Sequence, residues 1–91
     1  MKYVDWGDEK NEKLKSKRGV SFEDVITAME EGKVLATINH PNQSKYPNQK
    51  VFIINLNEYC YTVPFIETGE KIFLKTIIPD RKATKKYLKK G

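Results

Sequence analysis

The chain is poor in the residues that build metal and nucleophile chemistry: its 91 residues include one cysteine, Cys60, and one histidine, His40. A structural zinc site takes four Cys or His ligands, and no acidic cluster here has the spacing of a calcium loop, so neither a metal nor any other cofactor is expected. Only five glycines occur. None forms a phosphate-cradling run or a Gly-x-Ser-x-Gly elbow, which excludes P-loop nucleotide hydrolysis and serine catalysis of the α/β-hydrolase type. A single cysteine makes no internal disulfide. Its place between Tyr59 and Tyr61 suits a buried structural thiol in a reducing compartment. No run approaches the roughly 18 apolar residues of a membrane span, and Met1-Lys2-Tyr3-Val4-Asp5 opens no signal-peptide core. A cytoplasmic protein with no membrane partner is therefore expected.

What is present is charge, unevenly placed. Residues 71 to 91 carry eight basic residues against the single acid Asp80, a net +7, which leaves −2 for the first 70 residues of a chain whose total is +5. Clustered cations project a stronger field onto a polyanion than the same charges dispersed, so the C-terminal end is the expected contact for nucleic acid, RNA above all. At this length residues 1–91 form a single domain, with every functional group on its surface.

Residues 2 to 6 alternate weakly, as a short edge strand does, and 8 to 17 hold good helix formers with few apolar positions, a surface helix anchored by Trp6 and Leu14. Arg18-Gly19 ends it. Ser21 and Asp24 then form a capping-box pattern, with Val20 and Val25 placed as a hydrophobic staple. In this second helix Phe22, Val25, Ile26 and Met29 share one stripe, and Gly32 stops it. Val34 to Ile38 reads as a strand, followed by a long polar loop, 39 to 49, interrupted by Pro41 and Pro47. Three apolar runs, 51 to 56, 59 to 66 and 71 to 78, joined by Asn57-Glu58 and by 67 to 70, predict an antiparallel meander, with a bulge or unpaired position at Pro64. Arg81 to Lys90 forms a last basic helix, whose pairs Ala83 with Tyr87 and Thr84 with Leu88 are available for docking on the sheet. The fold class is α+β: two N-terminal helices packed on an antiparallel sheet, with a short basic C-terminal helix.

Cleaving RNA without a metal takes a base for the 2′-hydroxyl proton, cations for the charge on the phosphorane, and an acid for the leaving 5′-oxygen. Lys75, Arg81, Lys82 and Lys85 cluster around the end of the last strand, where they either converge on one phosphate or form a solvated helix face. Lys86, Lys89 and Lys90 add attraction. His40 has the right unperturbed pKa for proton transfer, or is a plain turn residue before Pro41. Tyr61 and Tyr87 orient a phosphate or stack on a base, or else pack inside. Glu67 and Glu70 offer carboxylate bases, or are exposed turn acids.

Two stretches carry a family resemblance. The first is Trp6, Lys10-Asn11, Leu14 and Lys17-Arg18-Gly19-Val20-Ser21-Phe22. The second is Ile77-Ile78-Pro79-Asp80-Arg81-Lys82-Ala83-Thr84-Lys85-Lys86-Tyr87. In order and spacing the chain resembles the BrnT family of bacterial toxins, within the RelE-like ribonuclease superfamily. Arg18 stands where that family usually has histidine, and Pro79-Asp80 where it has a Ser-Ala pair. The resemblance implies a RelE-like fold and the toxin of a type II toxin-antitoxin system. Such a toxin is a metal-independent endoribonuclease that inhibits translation by cleaving RNA, on the ribosome or free of it. It also implies an antitoxin protein encoded by an adjacent gene, and operator DNA contacted only through the antitoxin complex. A reading of a different class uses the same surface without chemistry: a non-catalytic module that binds nucleic acid or a protein.

Overall fold

The computed structural model describes residues 3–88. Its elements run β1 (Tyr3–Trp6), α1 (Asp8–Arg18), α2 (Phe22–Glu30), β2 (Val34–Asn39), β3 (Gln49–Leu56), β4 (Tyr59–Thr68), β5 (Lys71–Leu74), β6 (Ile78–Pro79) and α3 (Arg81–Tyr87). The class is α+β with a mainly antiparallel sheet. Its strand order is β1-β5-β4-β3-β2, with β6 joined to β4. One pairing departs from the antiparallel expectation: β1 lies parallel to β5, from Tyr3 opposite Lys71 to Trp6 opposite Leu74. Between β1 and β2, at opposite edges of the sheet, the chain passes through α1 and α2.

The corner between those two helices is held by side chains that satisfy backbone donors left free at the start of α2. Ser21 Oγ accepts from the Asp24 amide at 3.2 Å, and the Asp24 carboxylate accepts from the Ser21 amide at 2.9 Å, completing the capping box. Buried Asn11 on α1 does the rest: its Oδ1 accepts from the Phe22 amide at 2.8 Å, and its Nδ2 donates to Glu23 at 2.7 Å. Upstream, α1 carries Asp8 and Glu9 in its first turn and Lys15, Lys17 and Arg18 in its last, which suits the helix dipole. It ends where Gly19, at φ +67, donates its amide back to the Lys15 carbonyl.

Alternation along the strands sorts side chains onto two faces. Phe52, Ile54, Leu56, Val63, Phe65 and Leu74 point to the side covered by α1 and α2, where they form one core with Leu14, Val20, Phe22, Val25, Ala28 and Ile77. Trp6 stacks on Phe22 at 5.8 Å between centroids, and Phe52 on Phe65 at 4.0 Å. The opposite side holds a smaller cluster of Val51, Ile53, Cys60 and Ala83, with Ala36 and Leu88 packed against it.

The third apolar run is not one strand. β5 stops at Leu74, and the chain rejoins β4 only at Ile78 and Pro79, opposite Thr62 and Tyr61, one residue out of register. Pro64 is the cause, although the irregularity lies on the neighbouring strand and β4 itself runs through unbroken. Its carbonyl accepts from Lys75 at 2.8 Å. The N and C=O of a strand residue face the same neighbour, so the donor that proline lacks is missing on that side. The β3-β4 connection is the two-residue turn Asn57-Glu58, with φ of +54 and +65. Asn tolerates this region, whereas Glu occupies the position that glycine fills best, at a cost of about 1 kcal/mol. The amide of Glu58 is held by Asn55 Oδ1 at 3.0 Å.

Candidate nucleic-acid interface

The free edge of β4 beyond β5 is closed by β6 and then by the start of α3, and polar groups make the join. The Asp80 amide donates to the Cys60 carbonyl at 2.9 Å, and the Cys60 amide donates to Thr84 Oγ1 at 2.9 Å. Thr84 Oγ1 in turn donates to the Asp80 carbonyl at 2.8 Å. Asp80 is the N-cap of α3: its carboxylate accepts from the Ala83 amide at 3.0 Å and from Thr62 Oγ1 at 2.9 Å. The Ala83 amide bond, followed by the Thr62 hydroxyl and the nearby Lys82 charge, holds this carboxyl below the usual aspartate range against the opposing effect of burial. Burial pushes the Cys60 thiol up, with the Asp80 charge adding to it, so the thiol is protonated and inert at neutral pH. Arg18 braces the same region from the far side, its Nη1 donating to the Ile77 carbonyl at 3.0 Å. Arg18 and Asp80 are thus both structural ties to the segment that leads into α3.

With Ala83 and Thr84 buried, the basic residues of α3 are turned outward. Arg81 and Lys85, one helical turn apart, line an open depression of about 510 Å³ together with Glu58, Tyr59 and Thr84. Lys82 and Lys86 follow the adjoining row, where Lys86 Nζ lies 5.4 Å from the Tyr87 ring centroid. Tyr87 is 37% exposed and points outward with them, where the sequence offered it for docking on the sheet; Leu88 packs inward instead. Among the described residues, Arg81, Lys82 and Lys85 make no ion pair, so their charge is open to a ligand.

The structure leaves other candidates outside this group. Lys75 is exposed and follows β5 opposite Pro64, four residues along β4 from Cys60, or about 13 Å at strand spacing. His40 is further still: its amide pairs with the Gln49 carbonyl, at the far end of β3 from the Asn57-Glu58 turn. There His40 Nδ1 accepts from the Asn42 amide at 3.0 Å, and its ring meets Tyr46 at 4.5 Å, so it organises the long loop. Tyr61 is half-buried against the α1 and α2 core, on the face away from α3, with its ring edge-on to Tyr59 at 5.7 Å. Glu67 faces Lys50 at 3.6 Å across the β3-β4 pair, and Glu70 lies in the exposed turn before β5. Lys89 and Lys90 lie outside the described residues.

Glu58 and Tyr59 were not offered as site residues by the sequence, and Thr84 was offered only for docking on the sheet. Asn57-Glu58 reads as a turn and nothing more, and the pairing that carries it beside α3 is set by tertiary structure. One local signal was available: glutamate in the second position of a two-residue hairpin, where glycine is the common choice. A smaller depression of about 150 Å³ between α2 and the same turn sets Lys33 against Asp24 and Glu31 and gathers no second cation. Among the described residues no cluster of His, Cys, Asp or Glu is arranged to hold a metal, and no helix is long and apolar enough to cross a membrane. Comparison of the chain with protein-family models, with characterised proteins and with solved structures found no match to any of them.

Proposed function

We propose that this chain is an RNA-binding domain of RelE-like arrangement that cleaves RNA without a metal. It would act as the toxin of a toxin-antitoxin pair and be restrained by a protein encoded beside it. The observation that carries the reading is the gathering of Arg81 and Lys85, outward-facing and unpaired among the described residues, around one depression. A guanidinium holds two phosphate oxygens at once and stays protonated at every physiological pH, so Arg81 is suited to the charge that builds on the phosphorane. Lys85, one turn on, offers a second contact and a proton for the leaving 5′-oxygen. Lys82 and Lys86 extend the positive surface to neighbouring phosphates. The resemblance in Trp6 to Phe22 and in Ile77 to Tyr87 points the same way.

The distance of His40 from this group favours a second reading, in which the same surface binds RNA and performs no chemistry. Induction in a bacterium, with growth and RNA integrity followed together, separates the two: the ribonuclease reading expects arrest with RNA cleavage, relieved by co-expressing the neighbouring gene. With purified protein, Arg81→Ala is expected to lose cleavage under single-turnover conditions at saturating protein while its melting temperature stays within about 2 °C of wild type, as surface substitutions do. Cleavage by this variant at the wild-type rate would reduce Arg81 to a binding residue and move the active site elsewhere.

A further inference from the structure

The depression beside α3 sets a carboxylate among cations and, among the described residues, leaves all of them unpartnered. Among the described residues the Glu58 carboxylate makes no hydrogen bond or ion pair, and neither does the side chain of Arg81 or Lys85, although the three line one space. Backbone geometry does not account for the glutamate, since φ at this position is +65, where a glycine would sit without strain. Nor does packing, because Glu58 is exposed. A bare phosphate would be drawn by Arg81 and Lys85 and repelled by Glu58. The ligand that suits all three carries its own hydrogen-bond donors close to its phosphate.

Nucleotides have this character, and their bases differ in what they offer a carboxylate. Guanine presents two adjacent donors, N1–H and the N2 amino group, which match the two oxygens of a carboxylate. Adenine and cytosine each set one amino donor beside a ring acceptor, and uracil sets one N–H between two carbonyls. A carboxylate meets an opposing lone pair on each of these three. We propose that the depression is a guanine subsite: Glu58 accepts from guanine N1–H and N2–H, and Arg81 and Lys85 hold the adjoining phosphate. At about 510 Å³ the space lies within the range usual for small-ligand sites. This deepens the RNA reading above by naming the base read at that site. It rests on that reading for the biological substrate, although its test needs no cleavage.

The experiment titrates the full chain with the 5′-monophosphates of guanosine, inosine, adenosine and cytidine and follows amide shifts by NMR. GMP is expected to bind about tenfold more tightly than AMP or CMP, the discrimination one bidentate base contact gives. IMP, which keeps N1–H and lacks the amino group, falls between. In Glu58→Gln the preference for GMP over AMP should shrink to within about twofold, a partner able to accept only one of the two hydrogen bonds having replaced the carboxylate. Glu58→Gly, which the turn accommodates without strain, should give the same loss with the fold kept. Equal binding of GMP and AMP by wild type, a preference that survives Glu58→Gln, or no mononucleotide binding at millimolar concentration would each overturn the proposal. So would a Glu58→Gln variant that loses RNA cleavage but keeps the GMP preference, since Glu58 would then be a proton acceptor. Selective GMP binding without any RNA cleavage would leave the subsite standing and remove the ribonuclease reading. Cleavage with no guanine preference would do the reverse.

Discussion

The two faces of the sheet are built on different principles. The face under α1 and α2 is a broad apolar core of twelve buried residues, and its few polar groups, such as Asn11, close the helix ends. The face under α3 has four buried apolar residues and is registered by a chain of hydrogen bonds through Thr62, Asp80, Thr84 and the Cys60 backbone. Hydrophobic burial scales with area and is indifferent to direction, whereas hydrogen bonds fix position and contribute little net energy. The first face therefore supplies most of the stability, and the second fixes where a short cationic helix stands.

The comparison breaks most visibly through Phe22, which is fully buried and stacked on Trp6. Phe22→Ala should cost about 3–5 kcal/mol, a large part of the stability of a domain this size. Urea melts of wild type and variant measure it, and a loss under about 1 kcal/mol would show that the α1 and α2 face is not the dominant core.

Next in size is the polar hinge. Asp80→Ala strips the cap from α3 and leaves Thr62 without its acceptor, at an expected cost of about 1–2 kcal/mol. If α3 is the proposed RNA contact, RNA binding should fall further than this loss of global stability explains, because α3 loosens first. Acid sharpens the point. The Asp80 carboxyl is held below its ordinary value in the folded chain, so its contribution is present above the unfolded aspartate pKa of about 3.9 and is lost as pH falls through the lower folded value. Asp80→Asn keeps a cap acceptor and cannot titrate. Between neutral pH and about pH 3, wild type should lose more stability than this variant, and parallel losses in the two would remove Asp80 from the acid transition.

Ser21→Ala removes the cap of α2 on the well-buried face, with an expected loss of about 1 kcal/mol and unchanged RNA binding. A binding defect there would mean that the two faces are more tightly coupled than their separate cores suggest. The smallest effect has the opposite sign: Glu58→Gly should stabilise by a few tenths to about 1 kcal/mol, because glycine adopts a φ of +65 freely. A destabilised glycine variant would show that the glutamate side chain supports the fold, and its presence in the depression would need no ligand.

Several features were decided by the sequence alone because their causes are local. The capping box at Ser21 and Asp24, the stop at Gly19, the Phe22-Val25 stripe and the turn at Asn57-Glu58 depend on residues within a few positions of one another. So does the gathering of positive charge after residue 70. The break after Leu74 was traceable to Pro64, yet its side was not, since which neighbour the missing donor faces is settled only when β5 and β6 pair with β4. Asp80 caps α3 through a local bond to the Ala83 amide, whereas its second partner, Thr62, lies 18 residues away and is brought to it only by the pairing of β6 with β4. Charge pattern grouped Lys75 with Arg81, and residue type added His40 and Tyr61 as further candidates. The fold separates them, because strand register sends His40 to the far end of β3 and alternation turns Tyr61 to the other face. Tertiary pairing alone set Glu58 and Tyr59 beside Arg81 and Lys85, since proximity across a sheet edge follows from hydrogen-bond register, which no short window of sequence contains.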